Sequence, residues 1–147
     1  MKRLVKYTLE LVRESSYLYE KKTIRSPQDA YDIATDVLDL MKRPEEELWV
    51  LSLNTKNDVT GMFMVSRGSL NSSIVHPREV FKGALLNNAA SIIAVHQHPS
   101  GNSTPSREDI EVTKRLAEAG KILGIELLDH IVIGEGEYVS LKEKGYV

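Results

Sequence analysis

Two short apolar runs restrict this chain most. Leu48-Trp49-Val50-Leu51-Ser52-Leu53 and Ser91-Ile92-Ile93-Ala94-Val95 place apolar side chains at successive positions, with little polar alternation. Neighbouring side chains on a strand point to opposite faces. Both runs therefore read as strands buried on both sides, which occur where helices cover a sheet. The text around them supplies helices. Ser26 reads as an N-cap, Pro27 takes the first helical position and Asp29 falls in the first turn. Ala30, Ile33, Ala34, Val37, Leu38 and Met41 follow a helical stripe that Pro44 ends. Pro77 opens a second helix carrying Val80, Phe81, Ala84 and Leu85, and a third runs from Ser106 to Gly124, a good C′ glycine.

Further strands complete the pattern. Val59 to Val65 returns from the first run through the turn Asn54–Asp58, Ser73-Ile74-Val75 reads as a short strand, and Leu127 to Ile133 pairs with Tyr138-Val139-Ser140 across Gly134–Glu137. Residues 4 to 12 alternate, Val5, Tyr7, Leu9 and Leu11 against Lys6, Thr8 and Glu10, and predict a half-buried strand. Glu20 to Thr23 reads as a loop. The whole is an α/β fold, a mixed β-sheet sandwiched by helices. Its 147 residues suit one domain. We take 1–25 as an N-terminal strand or arm and 26–147 as the domain itself.

Composition excludes several chemistries. The chain has no cysteine, which removes disulfides, thiol catalysis, Cys-ligated zinc and the Pro-Cys-x-x-Cys site of the zinc deaminases. Lys and Arg total 19 against 21 Asp and Glu, a net −2 that argues against a protein built to grip a phosphate backbone. No apolar run reaches the ~18 residues of a membrane span. No apolar block follows the basic start Met1–Lys6, so no signal peptide is expected and the cytoplasm is the expected compartment.

The chemistry concentrates between residues 96 and 109. His96 and His98 leave the end of a buried strand two residues apart, so both imidazoles can converge on one point. Imidazole is the commonest zinc ligand where cysteine is absent. The plainer alternative is one structural and one solvated histidine. Ser106 and Asp109 have the spacing of a helix capping box, and that role alone explains the pair. Between the two motifs, Pro99, Gly101 and Pro105 make a stiff, sharp loop that can fold the helix start over the strand end. Asp109 would then be a third ligand. Two histidines and one carboxylate leave one tetrahedral position for water, the pattern of a catalytic site. The Ser106 hydroxyl would lie beside it, placed to stabilise an oxyanion.

His96-x-His98, seven residues, then Ser106-x-x-Asp109 resembles the JAMM motif of MPN-domain metalloproteases. The flanking segments His76-Pro77-Arg78-Glu79-Val80-Phe81, Asn88-Ala89-Ala90, His98-Pro99-Ser100-Gly101 and Asp129-His130-Ile131-Val132-Ile133-Gly134 are similar to the RadC family, from about residue 27 onward. The resemblance implies an MPN (JAMM) domain of cytidine-deaminase-like architecture, Zn2+ held by His96, His98 and Asp109, and a glutamate acting on the zinc water from the start of an upstream buried strand. Of Glu45-Glu46-Glu47, Glu47 stands directly before Leu48 and matches best; Glu46 and Glu79 are its rivals. Glu79 reads more simply as a first-turn acid, His130 as a buried structural histidine and His76 as a turn residue. Many RadC-like proteins carry an N-terminal helix-hairpin-helix module; the first 25 residues here hold no Gly-x-Gly hairpin.

Three functions compete. The first is a zinc metallohydrolase, a peptidase or isopeptidase, acting on a peptide or protein substrate. The second is a non-catalytic MPN-type interaction module. The third is a DNA-repair-associated, nucleic-acid-processing protein, for which Lys2, Arg3, Lys6, Lys21, Lys22 and Arg25 offer only a modest basic edge and weak nucleic-acid association. A membrane partner is not expected. An exposed N-terminal strand edge would suit a homodimer.

Overall fold

The two apolar runs lie side by side at the centre of a five-stranded sheet. The computed structural model describes residues 1–71 and 73–147. Its elements are α1 (Pro27–Asp32), β1 (Glu47–Leu53), β2 (Val59–Arg67), α2 (Pro77–Leu86), β3 (Ser91–Gln97), α3 (Arg107–Leu123), β4 (Glu126–Gly134) and β5 (Glu137–Ser140). The strand order is β2-β1-β3-β4-β5. β1 pairs antiparallel with β2 and β3, β3 pairs parallel with β4, and β4 pairs antiparallel with β5. The sheet is mixed and has helices on both faces, as expected.

Alternation along the central strands divides the core in two. Leu48 and Val50 of β1 and Ile92 and Ala94 of β3 pack beneath α2 and α3 with Phe81, Val112 and Leu116. Leu51 and Leu53 of β1 and Ile93 and Val95 of β3 point the other way, against Ala30, Ile33, Ala34 and Leu38. Each half removes several large apolar side chains from water, at about 1.5–3 kcal/mol for each one fully buried.

Three local expectations are corrected. Residues 4–12 form no strand: among the described residues their backbone takes no main-chain partner, and Leu4, Val5, Tyr7, Leu9 and Val12 are exposed. A strand needs a neighbour for its amides, and the chain first meets the sheet at the Thr23–Asp58 bridge. The first helix does not continue to Pro44. After Asp32 it widens into a π-turn over Ile33–Val37, Asp39 adopts a left-handed φ of 51°, and a 3-10 turn covers Leu40–Lys42. Leu38 and Leu40 are both buried, although residues two apart on one α-helix point to widely different sides. Ser26 sits at the N-cap of α1, but its side chain makes no capping bond; Asp29 instead accepts from the Arg25 amide at 2.8 Å. Finally, Ser73 and Ile74 form a turn rather than a strand, because their amides donate to the Asn71 side chain.

The antiparallel hairpins, α2 and the C-cap at Gly124 follow the sequence reading closely. Among the described residues no helix is long and apolar enough to cross a membrane. α3 reaches the sheet through Gly120, where a Cβ would come within 2.4 Å of the Ile125 carbonyl oxygen. Gly120→Ala is expected to lower stability by about 1–3 kcal/mol through overpacking. Chemical denaturation reads this directly, and an unchanged midpoint would contradict this contact.

Candidate metal centre

The site is built where β3 ends. His96 continues the face of Ile92 and Ala94, toward α3, opposite Leu48 of β1. His98 lies just beyond the strand, its amide donating to the Ile133 carbonyl at 2.9 Å. The following loop folds onto the β4–β5 turn. Gly101 donates to the His98 carbonyl at 2.9 Å and accepts from the Glu135 amide at 2.8 Å. The Ser103 amide donates to Glu137 Oε1 at 3.1 Å. A Cβ on Gly134 would stand 2.4 Å from the Gly101 carbonyl oxygen, so only glycine lets the two backbones meet. This clamp turns the chain back and sets the start of α3 over the histidines.

The capping box is fully formed. Ser106 Oγ accepts from the Asp109 amide at 3.0 Å, and Asp109 Oδ2 accepts from the Ser106 amide at 2.8 Å. The same carboxylate reaches both histidines: Oδ2 lies 3.0 Å from His98 Nε2, and Oδ1 lies 3.2 Å from His96 Nε2. The two Nε2 atoms are 3.3 Å apart. His96, His98 and Asp109 thus form a group able to hold a metal ion, their ligand atoms within 4.8 Å of one another. His96 and Asp109 are buried, and His98 keeps a partly exposed edge.

The donor chemistry fits a cation. His98 Nδ1 faces the Asn102 carbonyl oxygen at 2.8 Å, and a carbonyl only accepts, so Nδ1 carries the hydrogen. In the neutral ring, Nε2 then presents a lone pair to a carboxylate oxygen. Two acceptors this close repel unless a positive charge or a proton lies between them. Without a metal, a proton serves: the Asp109 carboxylate holds the His98 pKa above its ordinary value, against the opposing effect of burial, with help from the Asn102 carbonyl and the charge of Glu46. Burial alone would raise Asp109, but the adjoining rings of His96 and His98 and the bond from the Ser106 amide pull it well below the usual carboxylate range. Burial holds His130 well below the ordinary imidazole value.

The three glutamates part company. Glu47 is buried, but its carboxylate is bound elsewhere: Oε1 accepts from Trp49 Nε1 at 3.0 Å, and Oε2 lies 3.4 Å from Arg67 Nε. Trp49 packs with the cluster on the far side of the sheet from His96. Glu46 reaches the other way, its Oε2 accepting from the amide of Leu70, a member of the cluster beneath α2 and α3. Glu79 is an exposed first-turn acid of α2, paired with Lys82 at 2.8 Å. His76 is the N-cap residue of α2 and lies outside the metal group.

Other participants were not apparent from the motif. Gln97 points away from its flanking histidines and staples the glutamate run, Oε1 accepting from the Glu47 amide at 2.9 Å and Nε2 donating to the Glu45 carbonyl at 2.7 Å. Thr113 Oγ1 contacts both the Asp109 carbonyl and His130. Its position one helical turn after Asp109 was the available signal.

Comparison with known proteins identifies the family. The family model for the RadC-like JAB domain matches residues 24–146. This chain belongs to the RadC-like JAB domain family. It is 59% identical over 124 residues to a UPF0758 protein of Geobacillus sp. (strain WCH70), covering 84% of this chain and 54% of that one. The UPF0758 protein YsxA of Bacillus subtilis is 58% identical over 128 residues, covering 87% and 54%. A UPF0758 protein of Methanosarcina mazei is 52% identical over 140 residues, covering 94% and 60%. The chain thus spans somewhat over half the length of these relatives.

The His98–Asp109 pair generates a pH test on metal-free protein. Folding raises the His98 pKa, so the folded state binds protons more tightly than the unfolded one. The resulting stability is full below about pH 6.5 and fades as pH climbs through the raised value. Asp109, held low, keeps its contribution until strong acid protonates it. The stability lost in Asp109→Asn, read by urea denaturation, is expected to be larger near pH 6 than near pH 8.5. An equal loss at both would sink this account of the pair.

Proposed function

We propose that this domain is a metallohydrolase of the JAMM type, with zinc as its metal and a peptide or isopeptide amide as its substrate bond. The observation that carries the reading is the place of His130. His130 is a further histidine packed against the ligand group, yet its Nε2 is turned to His96 Nδ1, behind the metal-facing edge of that ring. Among the described residues the ligand group therefore stays at three, which suits a catalytic site rather than a closed structural one. A bound zinc ion supplies Lewis-acid activation of a water molecule.

The chain's own residues supply the rest. His96 Nε2, His98 Nε2 and an Asp109 oxygen would hold the ion. Ser106 uses an oxygen lone pair for its cap, which leaves the hydroxyl hydrogen to donate to an oxyanion. The proton-carrying carboxylate is Glu46 rather than Glu47 in this reading. Glu46 shares the helix-side face with His96 and adds to the potential at His98, whereas Glu47 is committed to Trp49 and Arg67. Glu46 would take a proton during attack and return it to the leaving amine. Lys21, Lys22 and Arg25 share a shallow recess with Glu20 and Asp29, a mixed surface that gives no reason to prefer nucleic acid.

Elemental mass spectrometry on protein purified without chelator is expected to find about one zinc per chain, lost in Asp109→Ala. Zinc-loaded protein is then screened on peptide and isopeptide substrates. Glu46→Gln is expected to keep the metal and lose about 10²–10⁴-fold in rate, with Glu47→Gln changing it far less. Wild-type protein that takes up no metal on back-titration would remove the hydrolase reading, and the reverse ranking of the two variants would return the proton-carrying role to Glu47.

A further inference from the structure

His130 has no direct part in the proposed chemistry, yet it is fully buried and held at both ring nitrogens. Its Nε2 lies 2.7 Å from His96 Nδ1, and its Nδ1 lies 2.6 Å from Thr113 Oγ1. Thr113 Oγ1 in turn donates to the Asp109 carbonyl oxygen at 2.8 Å. The directions of these bonds can be worked out in order. A carbonyl only accepts, and a threonine hydroxyl has one hydrogen, so that hydrogen goes to Asp109. The Thr113 oxygen is left to accept, which makes His130 Nδ1 the donor. A neutral imidazole carries one N–H, so His130 Nε2 is a lone pair and must accept from His96 Nδ1. The remaining lone pair of His96 is then on Nε2, the atom that faces His98 and Asp109.

We propose that Thr113 and His130 are positioning residues, a hydrogen-bond chain anchored on the Asp109 backbone carbonyl that fixes His96 in the tautomer able to ligate a metal. The inference rests on the metal reading above for its consequence, but not for its geometry. One residue, Asp109, would serve twice: its carboxylate is a ligand, and its main-chain oxygen orients another ligand. Outer partners of metal-bound histidines characteristically fix tautomer and ring orientation in this way. The opposite order, with the proton on His96 Nε2, requires Thr113 to withdraw its hydrogen from Asp109 and give it to His130. Thr113→Val removes the anchor with little change of shape. His130 Nδ1–H then loses its acceptor, and the tautomer with a free His96 Nε2 loses its advantage.

Two measurements test this. Long-range proton–nitrogen NMR on metal-free, uniformly labelled wild type near neutral pH is expected to find both His96 and His130 protonated on Nδ1. A proton on Nε2 of either ring overturns the chain. Zinc affinity is then measured by competition with a chromophoric chelator. Thr113→Val is expected to bind about 10-fold or more weakly, while Thr113→Ser, which restores the hydroxyl, stays near wild type. A Thr113→Val protein that binds zinc as tightly as wild type also overturns it. If wild type binds no zinc, the function proposed above fails, and the ring tautomers alone decide this inference.

Discussion

The parallel pairing of β3 with β4 is the constraint on which the site depends. Two parallel neighbours cannot be joined by a tight turn; the chain must cross over the sheet, and here α3 makes the crossing. A crossover begins at the carboxyl end of the first strand, where α/β sheets gather ligands. That places His96 and His98 at the strand end and Asp109 in the first turn of the crossing helix. The register sets Ala94 opposite His130, so His130 stands behind His96. Residues from two strands and a helix meet because one connection is long.

Asp109 shows how little a folded site separates structure from chemistry. Its backbone amide completes the cap, one carboxylate oxygen accepts from Ser106 and faces His98, the other faces His96, and its carbonyl receives Thr113. The capping reading and the ligand reading of Ser106-x-x-Asp109 are therefore compatible. The cap needs one lone pair on Ser106 and one amide; the metal site needs the remaining lone pairs of the carboxylate.

How much was legible in the sequence depended on the range of the signal. His96-x-His98 and Ser106-x-x-Asp109 are local periodicities of a strand and a helix, and each folds as its spacing implies. The doubly buried strands were legible because unbroken apolar runs have few other uses. The orientation of the glutamates was harder to read. Glu46 and Glu47 differ by one residue, hence by one face of the sheet, and a strand's phase at its first residue depends on partners such as Gln97, Trp49 and Arg67. His130 read correctly as a buried structural histidine, but its partners lie 34 and 17 residues away. At residues 4–12 the alternation was genuine, yet period two is necessary for a strand and does not supply a neighbour. In the first helix, the apolar stripe ran on past Val37, while the backbone leaves the α-helix there and buries both Leu38 and Leu40.

The clamp between the 99–105 loop and the β4–β5 turn has a thermodynamic meaning. The loop backbone is fixed by His98, Gly101, Glu135 and Glu137, and the close approach at Gly134 leaves it little room to move. The conformational entropy of ordering the ligands is thus expended when the chain folds. Small zinc modules behave oppositely, gaining their structure from the ion. Here an arriving ion would find its ligands already assembled, and would change the heat capacity of the chain very little, because scarcely any apolar surface remains to be covered on uptake.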